Sequence, residues 1–191
     1  VSFSGELSYE INMPAGYADA LFQRVQNKGY RWDITPYGLE ALDVLRIEKG
    51  HLSIGTEIDG RRTPADLGLS RMVSCKKTFL GRALLNRPAL QAEDRAQLVG
   101  LKPVDRNLPI PIAAHLCDQP LGDVLPILEG YLTASIHSPT LGHSIALAWL
   151  NAGASRHGTR LWALSPITSQ SIEVEVTSPH FYDPDRERLH D

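Results

Sequence analysis

The sequence is 191 residues long, 42% hydrophobic and 21% charged, the balance of an ordinary globular protein with room for one domain or two small ones. A formal net charge of -3 with scattered Lys and Arg leaves no basic stripe to neutralise a phosphate backbone, which excludes nucleic acid as the expected partner. No run approaches the roughly 18 apolar residues of a membrane helix, no charged-then-apolar leader opens the chain, and the expected location is cytoplasmic with no membrane partner.

Residues 1 to 13 alternate, with Phe3, Leu7, Tyr9, Ile11 and Met13 at odd positions. The alternation predicts an extended strand whose odd side chains face a core until Pro14-Ala15-Gly16 breaks it. Val1-Ser2-Phe3-Ser4 already has strand character with no turn or cap ahead of it, so the sequence reads as one that begins inside a domain. Ala18, Leu21, Phe22 and Val25 then recur at helical spacing before Gly29, predicting a short amphipathic helix over one sheet face.

Thr35-Pro36 predicts the opening of a second helix that runs to Gly50, because threonine can cap free amides and proline at the first position gives up an amide with no partner. Within it Leu39, Leu42, Leu45 and Glu40, Asp43, Arg46 form two stripes at three-residue spacing, placing charge beside an apolar seam. Residues 55 to 69, rich in Gly, Pro, Asp and Arg, read as loop. Phe79 to Asn86 reads as a short helix stopped before Pro88. A boundary near residues 88 to 96 divides the chain into domains at 1–90 and 95–191.

After Gln97 the texture changes to short apolar runs separated by Pro, Gly and Asn: 98–101, 131–136, 145–150, 161–164 and 172–176. Strands at this spacing predict a small antiparallel barrel or sandwich. Pro103 to Pro111 is expected as an ordered loop. The fold class is therefore α+β, an α+β part followed by an all-β part, without an internal repeat.

Standard chemical motifs are missing. Cys75 and Cys117 stand alone, and the seven histidines lack zinc-ligand spacing, so no metal is expected. There is no GxSxG, GxGxxG or GxxxxGK[ST] segment. The unusual charges are Glu6 and Glu10 on the first strand and Arg46 in an apolar helix, since ionised groups in such settings are paired or bind something polar. Glu6 and Glu10 share a strand face about 13 Å apart, too far to share a proton. Glu10 reads either as a solvated strand position or as a carboxylate accepting bonds from a ligand's amino and ring N–H groups. Arg46 reads either as a ligand group or as half of an internal salt bridge to Asp43 or Glu40.

Phe3-Ser4-Gly5-Glu6-Leu7-Ser8-Tyr9-Glu10-Ile11 resembles the Y-x-G-E-x-G/S-[YFW]-E-[IL] segment of the aminomethyltransferase (glycine-cleavage T-protein) family. The segments 38–50, 63–69 and 76–81 follow at family spacing, and 130–135, 138–142 and 145–148 look like the family's carboxy-terminal barrel. Leu45-Arg46-Ile47-Glu48-Lys49-Gly50-His51 and the tail 181–189 look most like the sarcosine-oxidase alpha subunits within that family. The resemblance implies a partial folate-binding domain followed by the barrel domain. It implies tetrahydrofolate as ligand, capturing the one-carbon unit of oxidised sarcosine to give glycine and 5,10-methylenetetrahydrofolate.

By position Glu10 matches the family glutamate on the pterin edge, Phe3 falls where relatives place a pterin-adjacent tyrosine, and Arg46 matches an arginine on the helix lining the folate cavity. Glu6 is grouped with them, and Tyr9 alternates to the opposite, core-facing side. The family's catalytic aspartate belongs to the amino-terminal half of the folate domain, so no catalytic residue is assigned here. FAD, FMN and NAD are implied only on other domains or partner subunits. The expected partners are the other oxidase subunits and the rest of the same chain, and a fragment inactive alone and prone to self-association is expected, since uncovered strand edges and apolar faces invite it. Two alternatives remain: an aminomethyltransferase or dimethylglycine-dehydrogenase relative with another carbon donor, and an assembly module that has lost folate.

Overall fold

The computed structural model describes residues 2–189; the first position of the predicted strand, Val1, lies outside them. Among the described residues, six strands close an antiparallel barrel in the order β1-β4-β3-β2-β5-β6. They are β1 (Ala96–Pro103), β2 (His115–Cys117), β3 (Leu128–Ser138), β4 (His143–Asn151), β5 (Arg160–Leu164) and β6 (Ser171–Thr177). The five predicted apolar runs all lie in strands. β2 completes the ring between β3 and β5, and three residues were too short a run to stand out. Closure leaves no free edge, which settles barrel over sandwich.

Alternation fills the barrel. Val99, Leu101, Leu116, Leu132, Ala146, Ala148, Leu150, Leu161, Ala163, Val174 and Val176 form its interior cluster. β4 is buried on both faces from His143 to Leu150. Its even positions point into the barrel, while Ile145 and Leu147 join Ile47 in a second cluster outside it. A strand covered on both sides reads as a continuous apolar run, as 145–150 does. Pro103–Pro111 is ordered as expected, with the Ile110 amide donating to Ser144 Oγ and its carbonyl accepting from Ser135 Oγ.

The amino-terminal part has three α-helices among the described residues, α1 (Ala18–Gly29), α2 (Leu39–Lys49) and α3 (Arg82–Leu85), with short 3-10 turns between them. Five expectations are corrected here. Residues 2–13 form bends and coil rather than a strand, because a strand needs a neighbouring backbone to pair with and none of the described residues supplies one. Tyr9, expected in a core, is 84% exposed. α1 forms where predicted but buries no residue and so covers no sheet. α2 opens at Leu39 behind Gly38, not at Thr35, whose hydroxyl donates to the Asp33 carbonyl at 3.1 Å and is not spent on a helix amide. The helix predicted from Phe79 is cut to four residues because Gly81 takes a left-handed conformation (φ 88°).

Candidate functional site

The elements meet at the carboxy-terminal end of α2. Ile47 is the apolar anchor against β4, a burial that contributes about 1.5–3 kcal/mol. Beside it Glu48, buried, accepts from Ser138 Oγ at 2.5 Å and Thr140 Oγ1 at 3.1 Å. Its backbone carbonyl accepts from the amides of Phe181 and Tyr182, both at 3.0 Å. Lys49 Nζ reaches Asp183 Oδ2 at 2.7 Å and, as the first of several causes, holds that carboxyl below its ordinary range. Helix, barrel and tail are thereby bolted together within three consecutive residues.

Two glycines make the approach possible. Gly50 ends α2 in a left-handed conformation (φ 71°), and a Cβ there would run into the Pro179 carbonyl oxygen. Gly5, also left-handed (φ 81°), lies against the Lys49 methylenes with no room for a side chain. That contact carries the Phe3–Glu10 segment to the end of α2.

Arg46 turns inward. Its Nε donates to Asp43 Oδ1 at 2.5 Å, and Nη1 donates to Glu57 Oε2 at 3.2 Å and to the His51 carbonyl at 3.3 Å. The salt bridge to Asp43 weighed from sequence is present. Glu57 is 0% exposed; its Oε2 also accepts from the Ser53 amide at 2.8 Å, and its Oε1 has no partner among the described residues. His51 is half-buried, and its ring lies 4.4 Å from that of Phe3 at 46°. Burial first, then the Arg46 charge, pushes the His51 imidazole below its ordinary range, which favours the neutral ring.

The structure therefore brings Phe3 and Arg46 together through His51. Phe3 is 50% exposed, leaving ring surface open. Glu6 is exposed and pairs with Arg188 at 3.3 Å. Glu10 is exposed, and its Oε1 accepts from Asn12 Nδ2 at 3.3 Å; among the described residues nothing ties it to the Phe3–His51 corner. Glu57 and Glu48 escaped sequence reasoning. An ion pair spanning eleven positions across a loop has no periodicity to betray it; the available signal was Arg46 itself, a charge on a buried helix face that required a carboxylate.

A second set of contacts seats the loop on the barrel. Asp66 accepts from Arg95 Nε at 2.9 Å and Nη2 at 2.5 Å and from the Thr63 amide at 2.8 Å. Burial raises its pKa, but these bonds more than offset it and the net shift is downward. Arg62 lies over the Trp149 ring at 3.9 Å, a cation–π contact on the outer face of β4. Among the described residues, no cluster of three or more His, Cys, Asp or Glu could hold a metal ion, and no helix is long and apolar enough to cross a membrane.

Residues 1–77 match the family model of the GCVT N-terminal domain, and residues 97–183 match the glycine cleavage T-protein C-terminal barrel domain. The chain belongs to the glycine-cleavage T-protein family. Among curated relatives, "Sarcosine oxidase subunit alpha" of Rhizobium meliloti (strain 1021) is 43% identical over 191 residues, covering 100% of the chain and 19% of that protein. "Aminomethyltransferase" of Saccharopolyspora erythraea is 31% identical over 182 residues, covering 94% of the chain and 47% of that protein. The crystal structure of glycine cleavage system aminomethyltransferase T from Bartonella henselae superposes with a TM-score of 0.74 at 26% identity, over 90% of the chain and 45% of that structure. The chain thus spans about a fifth of the sarcosine oxidase subunit and about half of the aminomethyltransferases.

Proposed function

We propose that the chain is the carboxy-terminal part of the folate-binding region of a sarcosine oxidase alpha subunit. There it helps hold tetrahydrofolate while the one-carbon unit of oxidised sarcosine passes to it, yielding glycine and 5,10-methylenetetrahydrofolate. The observation that carries this reading is the identity to sarcosine oxidase subunits along the whole chain, which exceeds that to aminomethyltransferases.

The residues present suit the ligand. Tetrahydrofolate supplies the amines that capture the one-carbon unit. Glu10 offers an exposed carboxylate to the adjacent amino and ring N–H donors of a pterin, and such paired, charge-assisted bonds are stronger than neutral ones. Phe3 offers an aromatic face in place of the tyrosine of relatives, without the hydroxyl. Arg46 serves by holding the corner at the end of α2, and Glu6 by tying the segment to Arg188. The flavins and NAD that oxidise sarcosine belong, in this reading, to other domains and subunits, which are also the partners that cover residues 2–39.

A ligand that binds the folded state raises the melting temperature. In a melt of the complete parent subunit, tetrahydrofolate is expected to raise the midpoint, with the rise lost in Glu10→Ala. An equal rise in both would remove Glu10 from the site, and no rise in either would remove folate.

A further inference from the structure

Residues 118–127 leave β2 and return to β3 as a closed loop. Its base is tied twice, the Asp118 amide donating to the Ile127 carbonyl at 3.4 Å and the Ile127 amide to Asp118 Oδ1 at 2.8 Å. A third bond fixes it to the start of β6, where the Leu121 amide donates to Ser171 Oγ at 3.2 Å. A loop on the surface ordinarily turns polar groups to water. This one does the reverse: Leu121, Val124, Leu125, Ile127 and the adjoining Leu128 are all exposed, Leu125 by 82%. The turn between β5 and β6 adds Ile167, also exposed. Apolar side chains gathered outward on a tethered loop mark a surface that another molecule covers.

Place and charge narrow the occupant. β3 spans eleven residues, so its Leu128 end lies about 30 Å from its Ser138 end. Ser138 is the end held by Glu48, and residues 2–39 join the molecule on that side, through Gly5 against Lys49. A segment that covers residues 2–39 therefore sits at the other end of the barrel and leaves the loop for a separate molecule. From position 107 to 155 the sequence has no Lys or Arg, and its acids are Asp118, Asp123 and Glu129. Asp118 is spent on the Ile127 amide and Glu129 on Arg156, so Asp123 at the tip is the charge left to face a partner. An acidic apolar surface is repelled by an anionic membrane. It complements an apolar groove rimmed by Lys or Arg on another protein.

We propose that, on the reading above of the chain as part of an oxidase alpha subunit, residues 118–128 are a docking loop for a different subunit of that assembly. Val124 and Leu125 seat in an apolar groove of that subunit, and Asp123 meets a cation on its rim.

The test is dilution of the assembled oxidase, with its subunit composition read by mass photometry beside the melting temperature of the parent subunit. Central apolar anchors carry a large share of an interface's energy, so Val124→Ser/Leu125→Ser is expected to raise the concentration at which one other subunit is lost by roughly tenfold to a hundredfold. The melting temperature of the parent subunit should stay at the wild-type value, since both side chains already face water. Asp123→Lys is expected to loosen the assembly at low salt and less so at high salt. Wild-type dissociation in both variants would overturn the docking loop and leave the oxidase reading standing. Vesicle binding by the parent subunit that the double variant loses would overturn it in favour of a lipid surface. A wild-type parent subunit that joins no other subunit at any concentration would overturn both the loop and the oxidase reading. Should the double variant melt early, Asp123→Lys decides: salt-dependent loosening supports docking, and unchanged dissociation overturns it.

Discussion

Residues 2–39 and the barrel both carry apolar side chains at regular spacing, and they end in opposite surroundings. In β4 every residue from His143 to Leu150 is buried, inward against the barrel interior and outward beneath α2 and Arg62. In residues 2–39 Phe3, Leu7, Tyr9, Ile11, Phe22, Tyr30 and Trp32 are all exposed, Trp32 by 66%, and α1 buries nothing. Periodicity specifies which face an element would bury. It does not specify that another element is present to receive it, and hydrophobic stabilisation is gained only when one is.

The largest expected difference between the regions is in side-chain truncation. Leu116→Ala or Leu101→Ala, at fully buried interior positions, should cost about 2–5 kcal/mol in denaturant titrations. Phe22→Ala, on the exposed side of α1, should cost less than about 0.5 kcal/mol. Similar costs for the two would break the comparison.

Next in size is the joint between the regions. Arg46→Ala leaves the Glu57 carboxylate buried without its cation, which should cost about 3 kcal/mol. Because the same change releases the His51 carbonyl, hydrogen exchange at residues 46–58 should rise in step. A variant as stable and as protected as wild type would show that the Arg46 contacts are not structural.

The pH dependence follows from Asp66, whose folded pKa lies below its ordinary value of 3.8. A depressed carboxylate contributes stability that is fully present above the ordinary value and is lost as pH falls through the folded one. Acid unfolding of the wild type should therefore steepen below about pH 4, while Asp66→Asn, less stable at neutral pH, should show a flatter curve there. Parallel curves would deny the Asp66–Arg95 pair its role.

The smallest effect on stability and the clearest on solution behaviour concerns residues 2–39. The chain alone should self-associate with rising concentration, and Phe22→Glu should reduce that association in sedimentation experiments while moving the unfolding midpoint by less than about 0.5 kcal/mol. Concentration-independent sedimentation of the wild type would contradict the exposed apolar face.

Legibility in the sequence divides along the same line. The long strands were readable because Val99, Leu101, Val174 and Val176 alternate or cluster between turn residues, and the end of α2 was readable because Gly50 can take the left-handed turn. β2 was not, since three residues give no period. The starts of α2 and α3 were misplaced because Thr35 spends its hydroxyl on Asp33 and Gly81 departs from helical φ, choices made by local geometry that composition does not reveal. Of the candidate residues, Glu6, Glu10 and Arg46 stood out as charges on a predicted strand or in an apolar helix, and Phe3 through the resemblance of its segment to the family's. His51 gains its meaning from a ring 48 positions away in sequence, and Glu57 from Arg46 across a loop, so neither carries a local signal.

One-carbon transfer to folate, the function proposed above, is tested most directly by where the carbon goes. Oxidised sarcosine hydrolyses to glycine and formaldehyde unless its methylene group is captured. The assembled wild-type enzyme turning over sarcosine with tetrahydrofolate should form 5,10-methylenetetrahydrofolate in place of formaldehyde, and Glu10→Ala should return the carbon to formaldehyde. Formaldehyde as the sole one-carbon product of the wild type at saturating tetrahydrofolate would contradict the account.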